Sequence, residues 1–81
     1  MTQEEFRKKY GEIKPFLVGH GRTVSDRSGV PYYTYRNAIN GQISNGKVLT
    51  KIYNAMLSVV KDRAEALLII AEHTKGLDER K

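Results

Sequence analysis

Five side chains between residues 32 and 40 have the right chemistry to read nucleobases. Tyr32, Tyr33, Arg36, Asn37 and Asn40 recur at spacings that put them on one face of a helix. Arg36 can donate paired hydrogen bonds to O6 and N7 of a guanine, and Asn37 or Asn40 can pair with the edge of an adenine. A tyrosine ring can lie against a thymine methyl, and its hydroxyl can reach a phosphate. Each tyrosine taken singly has an equally good use as core, because an aromatic ring is a large apolar body with one polar tip.

A second set is suited to phosphate. Arg22 and Thr23 stand at the start of one predicted helix. Ser44, Asn45 and Lys47 stand at the start of another, with Lys51 one turn beyond. Helix N-termini offer backbone N–H groups and the positive end of a dipole to an anion. Any one of these lysines is an ordinary solvated charge; the weight lies in the group.

Two short helices around a tight corner would position both sets. The spacing predicts the first over about Thr23–Ser28. Gly29 suits the turn, since a helix end commonly needs a residue that tolerates positive φ. Pro31 suits the start of the second helix, where its missing N–H has no partner to lose. That helix is expected to run to about Asn40, with Gly41 as its stop. Val24, Ser28 and Val30 flank the corner, and Tyr35, Ala38 and Ile39 form the inner stripe of the second helix.

This stretch, Arg22–Gly41, resembles the helix-turn-helix of the lambda-repressor-like (Cro/C1, XRE-type) DNA-binding family. The resemblance rests on a small residue inside the first helix (Ser25, where alanine is commonest), on Gly29 followed by the apolar Val30, and on Ala38-Ile39-Asn40-Gly41. Tyr35 occupies the place of the usual branched apolar residue. The apolar pattern Val48, Leu49, Ile52 and Ala55-Met56-Leu57 matches the helix that follows in the family, so the likeness covers roughly Ile13–Ser58. It implies an all-α, compact four- or five-helix bundle that binds double-stranded DNA sequence-specifically. The third helix would read the major groove, and helix N-termini would clamp phosphates.

Composition sets the bounds. Eighty-one residues make one domain with a small core. There is no cysteine, so disulfides and thiolate metal sites are excluded. The start of the chain is charged, and the longest apolar run, Ala66–Ala71, is too short to span a bilayer; a cytoplasmic protein is expected. The net charge of +5 is unevenly placed: residues 22–61 hold six basic side chains against one acidic, while the two flanking segments nearly balance. A basic segment of this kind fits a polyanionic partner as well as plain solubility.

Thr2 and Glu5 have capping-box spacing ahead of a helix over about Gln3–Tyr10, with Gly11 as a possible interruption. Pro15 suits the first turn of a new helical stretch, and Ile13, Phe16, Leu17 and Val18 would cover the corner. Thr23 with Asp26 would cap the next helix. From Gly46 to Gly76 nothing breaks a helical apolar stripe, which reads as one helix over about Lys47–Thr74 or as two that part near Ser58. Ala66–Ala71 is apolar nearly all round, so the N-terminal helix or another chain should cover it. The tail Gly76–Lys81 is expected to fray.

Several other features carry no chemistry. Gly41–Lys47 fits G-x-x-x-x-G-K, but Val48 follows where a phosphate-binding loop needs Ser or Thr, and a helix precedes it rather than a strand. His20 and His73 lack metal spacing. Asp62, with Lys61 or Arg63 beside it, and Glu65 and Glu72 read as helix support. No serine has a histidine partner at a recognisable spacing. Neither an enzyme, nor a cofactor, nor a small-molecule ligand is expected.

The expected role is that of a small transcriptional regulator of a bacterium, phage or mobile element. A homodimer on a two-fold site would double a small interface; Val59, Ala66, Leu67, Ile69 and Ile70 are its candidate residues, or else core. The rival reading is a helical protein-interaction module. A recombination accessory factor of excisionase type would bind DNA in the same way and bend it.

Overall fold

The computed structural model describes residues 1–79, with side chains as far as Glu72. The chain is all-α: four α-helices and one short 3-10 turn, with no strand among the described residues. Thr2 starts α1 (Gln3–Ile13). Its Oγ1 accepts the Glu5 N–H at 3.1 Å and donates to the Glu5 carboxylate at 3.2 Å. The helix runs straight through Gly11, which the sequence left open as an interruption. The cost of a mid-helix glycine is only about 0.5–1 kcal/mol, and the buried ring of Phe6, stacked on Tyr10 at 6.2 Å, anchors the face that matters. Pro15 then sits at the start of the 3-10 turn Lys14–Phe16.

α2 (Gly21–Ser28) begins two residues earlier than the sequence suggested. His20 is its N-cap and supplies no side-chain cap, so the expected Thr23–Asp26 cap is not formed. The helix ends where expected: Gly29 is left-handed at φ 75°, and its N–H reaches back to the Ser25 and Asp26 carbonyls. Two serines stitch the corner. Ser25, buried, donates its hydroxyl to the Val30 carbonyl at 2.7 Å, and Ser28 donates to the Ser25 carbonyl at 2.9 Å. An alanine at position 25 could not make that link. Pro31 is the N-cap of α3 (Tyr32–Ile39), one residue outside the helix; its carbonyl accepts from the N–H groups of Thr34 and Tyr35. Beyond Asn40, the N–H of Gln42 bonds the Asn37 carbonyl and that of Gly41 bonds the Ala38 carbonyl, which closes the helix in a Schellman motif.

The corner yields a direct prediction. Nothing lies within 4 Å of the place a Gly29 side chain would occupy, so only the backbone objects to one there. Gly29→Ala should cost about 1–2 kcal/mol and lower Tm by roughly 4–16 °C; Gly29→Val should cost more. An unchanged calorimetric Tm would show that the left-handed turn is not needed.

α4 (Gly46–Glu79) is one helix of 34 residues, which decides between the one- and two-helix readings. Asn45 caps it, its Oδ1 accepting the N–H groups of Lys47 at 3.0 Å and Val48 at 3.3 Å. Ser58 does not start a new helix; its hydroxyl accepts from Arg27 at 2.8 Å. Leu49, Ile52, Met56 and Val59 line the buried side of α4 and, with Phe6, Leu17, Val24, Tyr35 and Ala38, form the core. α2 lies between α3 and α4, and α1 lies against α4. Beyond Val60 the helix leaves the bundle: every side chain from Lys61 to Glu72 is exposed, and the molecule measures 55 × 22 × 16 Å. The expectation that α1 covers Ala66–Ala71 therefore fails, because α1 packs near the other end of α4. The helix continues to Glu79 through most of the tail expected to fray; Arg80 and Lys81 lie outside the described residues, as does the side chain of His73. No helix of the described residues is long and apolar enough to cross a membrane.

Candidate nucleic-acid interface

α3 shows two different faces. Tyr35 and Ala38 are buried, and Ile39 is half-buried against the core. Tyr33 (69% exposed), Arg36 and Asn40 point to solvent. Tyr32 and Asn37 lie at the boundary, half-buried. Tyr32 leans on the core, its ring centroid 5.9 Å from that of Tyr35, and the Arg22 guanidinium sits 4.8 Å above its outer face. Of the five residues suited to bases, three are fully presented, and Tyr32 is divided between packing and surface.

The size of Tyr35 is explained by a residue on another helix. A Cβ built on Gly21 would come within 3.1 Å of the Tyr35 ring. The glycine vacates the space that the tyrosine fills, so the large ring is matched by the absence of a side chain across from it. Burial raises the pKa of the Tyr35 phenol above its ordinary 10.0, with Tyr10 and Tyr32 adding to the shift and Arg36 opposing it. At neutral pH the group is an uncharged phenol. Neither Gly21 nor the Leu17–Gly21 turn stood out in the sequence as part of the site; a glycine at the start of a helix one element before an oversized core residue was the available signal.

That turn and α3 form the walls of a shallow cleft of about 370 Å³, lined by Leu17, Gly19, Gly21, Arg22, Tyr32, Tyr35, Arg36 and Ile39. Two guanidiniums therefore flank one cleft beside the exposed face of α3. Of the phosphate set, Arg22 is exposed and fixed by its tyrosine, while Thr23 is half-buried. Asn45, Lys47 and Lys51 line a second open depression at the N-terminal end of α4, of about 730 Å³. Ser44 is exposed beside it. Asn45 spends its carbonyl oxygen on the helix cap and keeps its amide N–H groups as donors. Lys51 also borders a third depression, with Arg27, Asn54 and Ser58.

Not all the positive charge of residues 22–61 is free. Arg27 is bound to Asp62 at 2.7 Å, and both are substantially exposed, so the pair does more to hold Arg27 in place than to stabilise the fold. Asp62 thus reaches across to α2 and does not pair with its neighbours Lys61 or Arg63. Arg63 instead donates to Nε2 of His20 at 2.7 Å, which requires a neutral imidazole protonated on Nδ1. These two bonds strap the end of the bundle to α4. Of the candidate dimer residues, Val59 is part of the core and is corrected to that role, because it sits on the stripe of α4 that faces α2; Ala66, Leu67, Ile69 and Ile70 are exposed.

The Gly41–Lys47 segment follows α3 and leads into α4, so no strand precedes it to build a nucleotide-binding loop. Comparison of the chain with protein-family models, with curated proteins and with solved structures finds no match in any of the three.

Proposed function

We propose that the chain binds duplex DNA sequence-specifically through the α2–α3 corner, with α3 in the major groove, as a small regulator of transcription. The observation that carries the reading is the division of α3. Its inner stripe is committed to the core through Tyr35 and Ala38, which leaves Tyr33, Arg36 and Asn40 outward on a helix fixed at both ends. Arg36 and the asparagines supply base-edge hydrogen bonds. Arg22 beside α3, and Lys47 and Lys51 at the head of α4, supply phosphate contacts on either side. The resemblance to the lambda-repressor-like corner supports the same assignment.

An electrophoretic shift on random duplex DNA at two salt concentrations tests it. Three phosphate contacts alone predict a loss of affinity of about 40-fold between about 50 and about 200 mM salt, because each neutralised phosphate releases counterion. Selection of bound duplexes from a random pool should then enrich one motif. Binding that is absent at low salt, or indifferent to salt, would overturn the proposal. That outcome would favour the protein-interaction module instead, a reading supported by the exposed apolar end of α4.

A further inference from the structure

Leu67, Leu68, Ile69 and Ile70 on α4 are four consecutive large apolar side chains that the described fold leaves exposed. Each keeps between 55% and 62% of its surface exposed, and none of them touches the bundle core. Their placement is ordered. With 3.6 residues per turn, Leu49, Ile52, Met56 and Val59 form the stripe that faces the bundle. Leu57, Val60, Ala64, Leu67, Leu68 and Ala71 form a second stripe, rotated from it by about 90°. The second stripe begins on the outside of the bundle at Leu57, which is exposed, and runs off its end. Alternating steps of three and four residues are the pattern of a seam between two helices.

We propose that this seam pairs with the same seam of a second copy of the chain. The two α4 helices lie antiparallel, related by a two-fold axis that crosses them near Leu67. The charges select both the occupant and the direction. Lys61 and Glu72 are exposed and flank the stripe on the same side, at its opposite ends. An antiparallel pair brings Lys61 of each copy beside Glu72 of the other, twice over. A parallel two-fold pair would place these charges of the two copies on opposite sides of the seam and leave them unpaired. The surface is thus complementary to itself, as a two-fold interface requires. Val60 is half-buried against the core, so the free part of the stripe is Ala64, Leu67, Leu68 and Ala71, beyond the bundle.

The proposal does not rest on DNA binding; a dimer that ignores DNA would leave it standing, and a monomer that binds DNA would end it. Sedimentation equilibrium of the full chain at tens of micromolar should give twice the chain mass. Leu67→Glu with Leu68→Glu should give a monomer with an unchanged helical circular dichroism spectrum, since neither side chain belongs to the core. Glu72→Lys should weaken the dimer at least several-fold, and Lys61→Glu in the same chain should restore it. A monomeric native chain, a charged double variant that still dimerises, or a charge swap that fails to restore association would overturn the proposal.

Discussion

Tyr35→Ala is expected to remove nearly all of the chain's stability at room temperature, whereas Tyr35→Phe should stay close to the native stability. The ring is buried, packs on Tyr32 and fills the space opposite Gly21. Truncating a buried aromatic to alanine costs about 3–5 kcal/mol. A chain of this length has a total stability of only some 4–12 kcal/mol on the usual per-residue scale, and a small core leaves it near the bottom of that range. Tyr35→Phe keeps the ring and removes only the hydroxyl, for which a loss within about 1 kcal/mol is expected. Urea melts followed by circular dichroism decide the matter. A Tyr35→Ala chain that melts within about 1 kcal/mol of the native one would show that α3 is held by something other than this ring.

Arg36→Ala should separate base reading from charge. If Arg36 pairs with a guanine, its loss should weaken the selected site by about 1–3 kcal/mol, roughly 5- to 150-fold, and leave random duplex much less affected. Lys47→Ala should weaken both duplexes by similar factors and reduce the slope of log affinity against log salt by about one. The contrast rests on position: Arg36 extends from the middle of the exposed face of α3, while Lys47 stands in the depression at the head of α4. Titrations of each variant on both duplexes give the answer. Equal losses on both for Arg36→Ala would move that residue to the phosphate contacts and leave the bases to Tyr33 and Asn40.

The corner was legible because its signals are local. Gly29 and Pro31 each act through their own backbone: one takes positive φ, the other fixes φ and lacks a donor. Their effects need no partner distant in sequence, so α2, the turn and α3 could be placed within two residues from the sequence. The capping pair Thr2–Glu5 was legible for the same reason. The start of α2 was misjudged because Thr23 and Asp26 have cap chemistry that the helix, beginning at Gly21, does not use.

The partners of the charged and aromatic side chains were not legible. Arg27 and Asp62 lie far apart in sequence, as do Arg63 and His20, and only the packing of α2 against α4 brings them together. The same holds for Gly21 and Tyr35. Whether Tyr32 or Tyr33 faces out depends on which stripe of α3 the core claims, and the spacing allowed either.

The sequence by itself determined that this chain is helical, where it turns, and which short segment gathers tyrosine, arginine and asparagine on one face, because capping, turn chemistry and helical period act over a few residues. Tertiary structure alone decided that α4 is unbroken, that Val59 belongs to the core and that Ala66–Ala71 stands clear of the bundle. An apolar stripe specifies that something must cover it but not what, and that choice is made by how far the other helices reach.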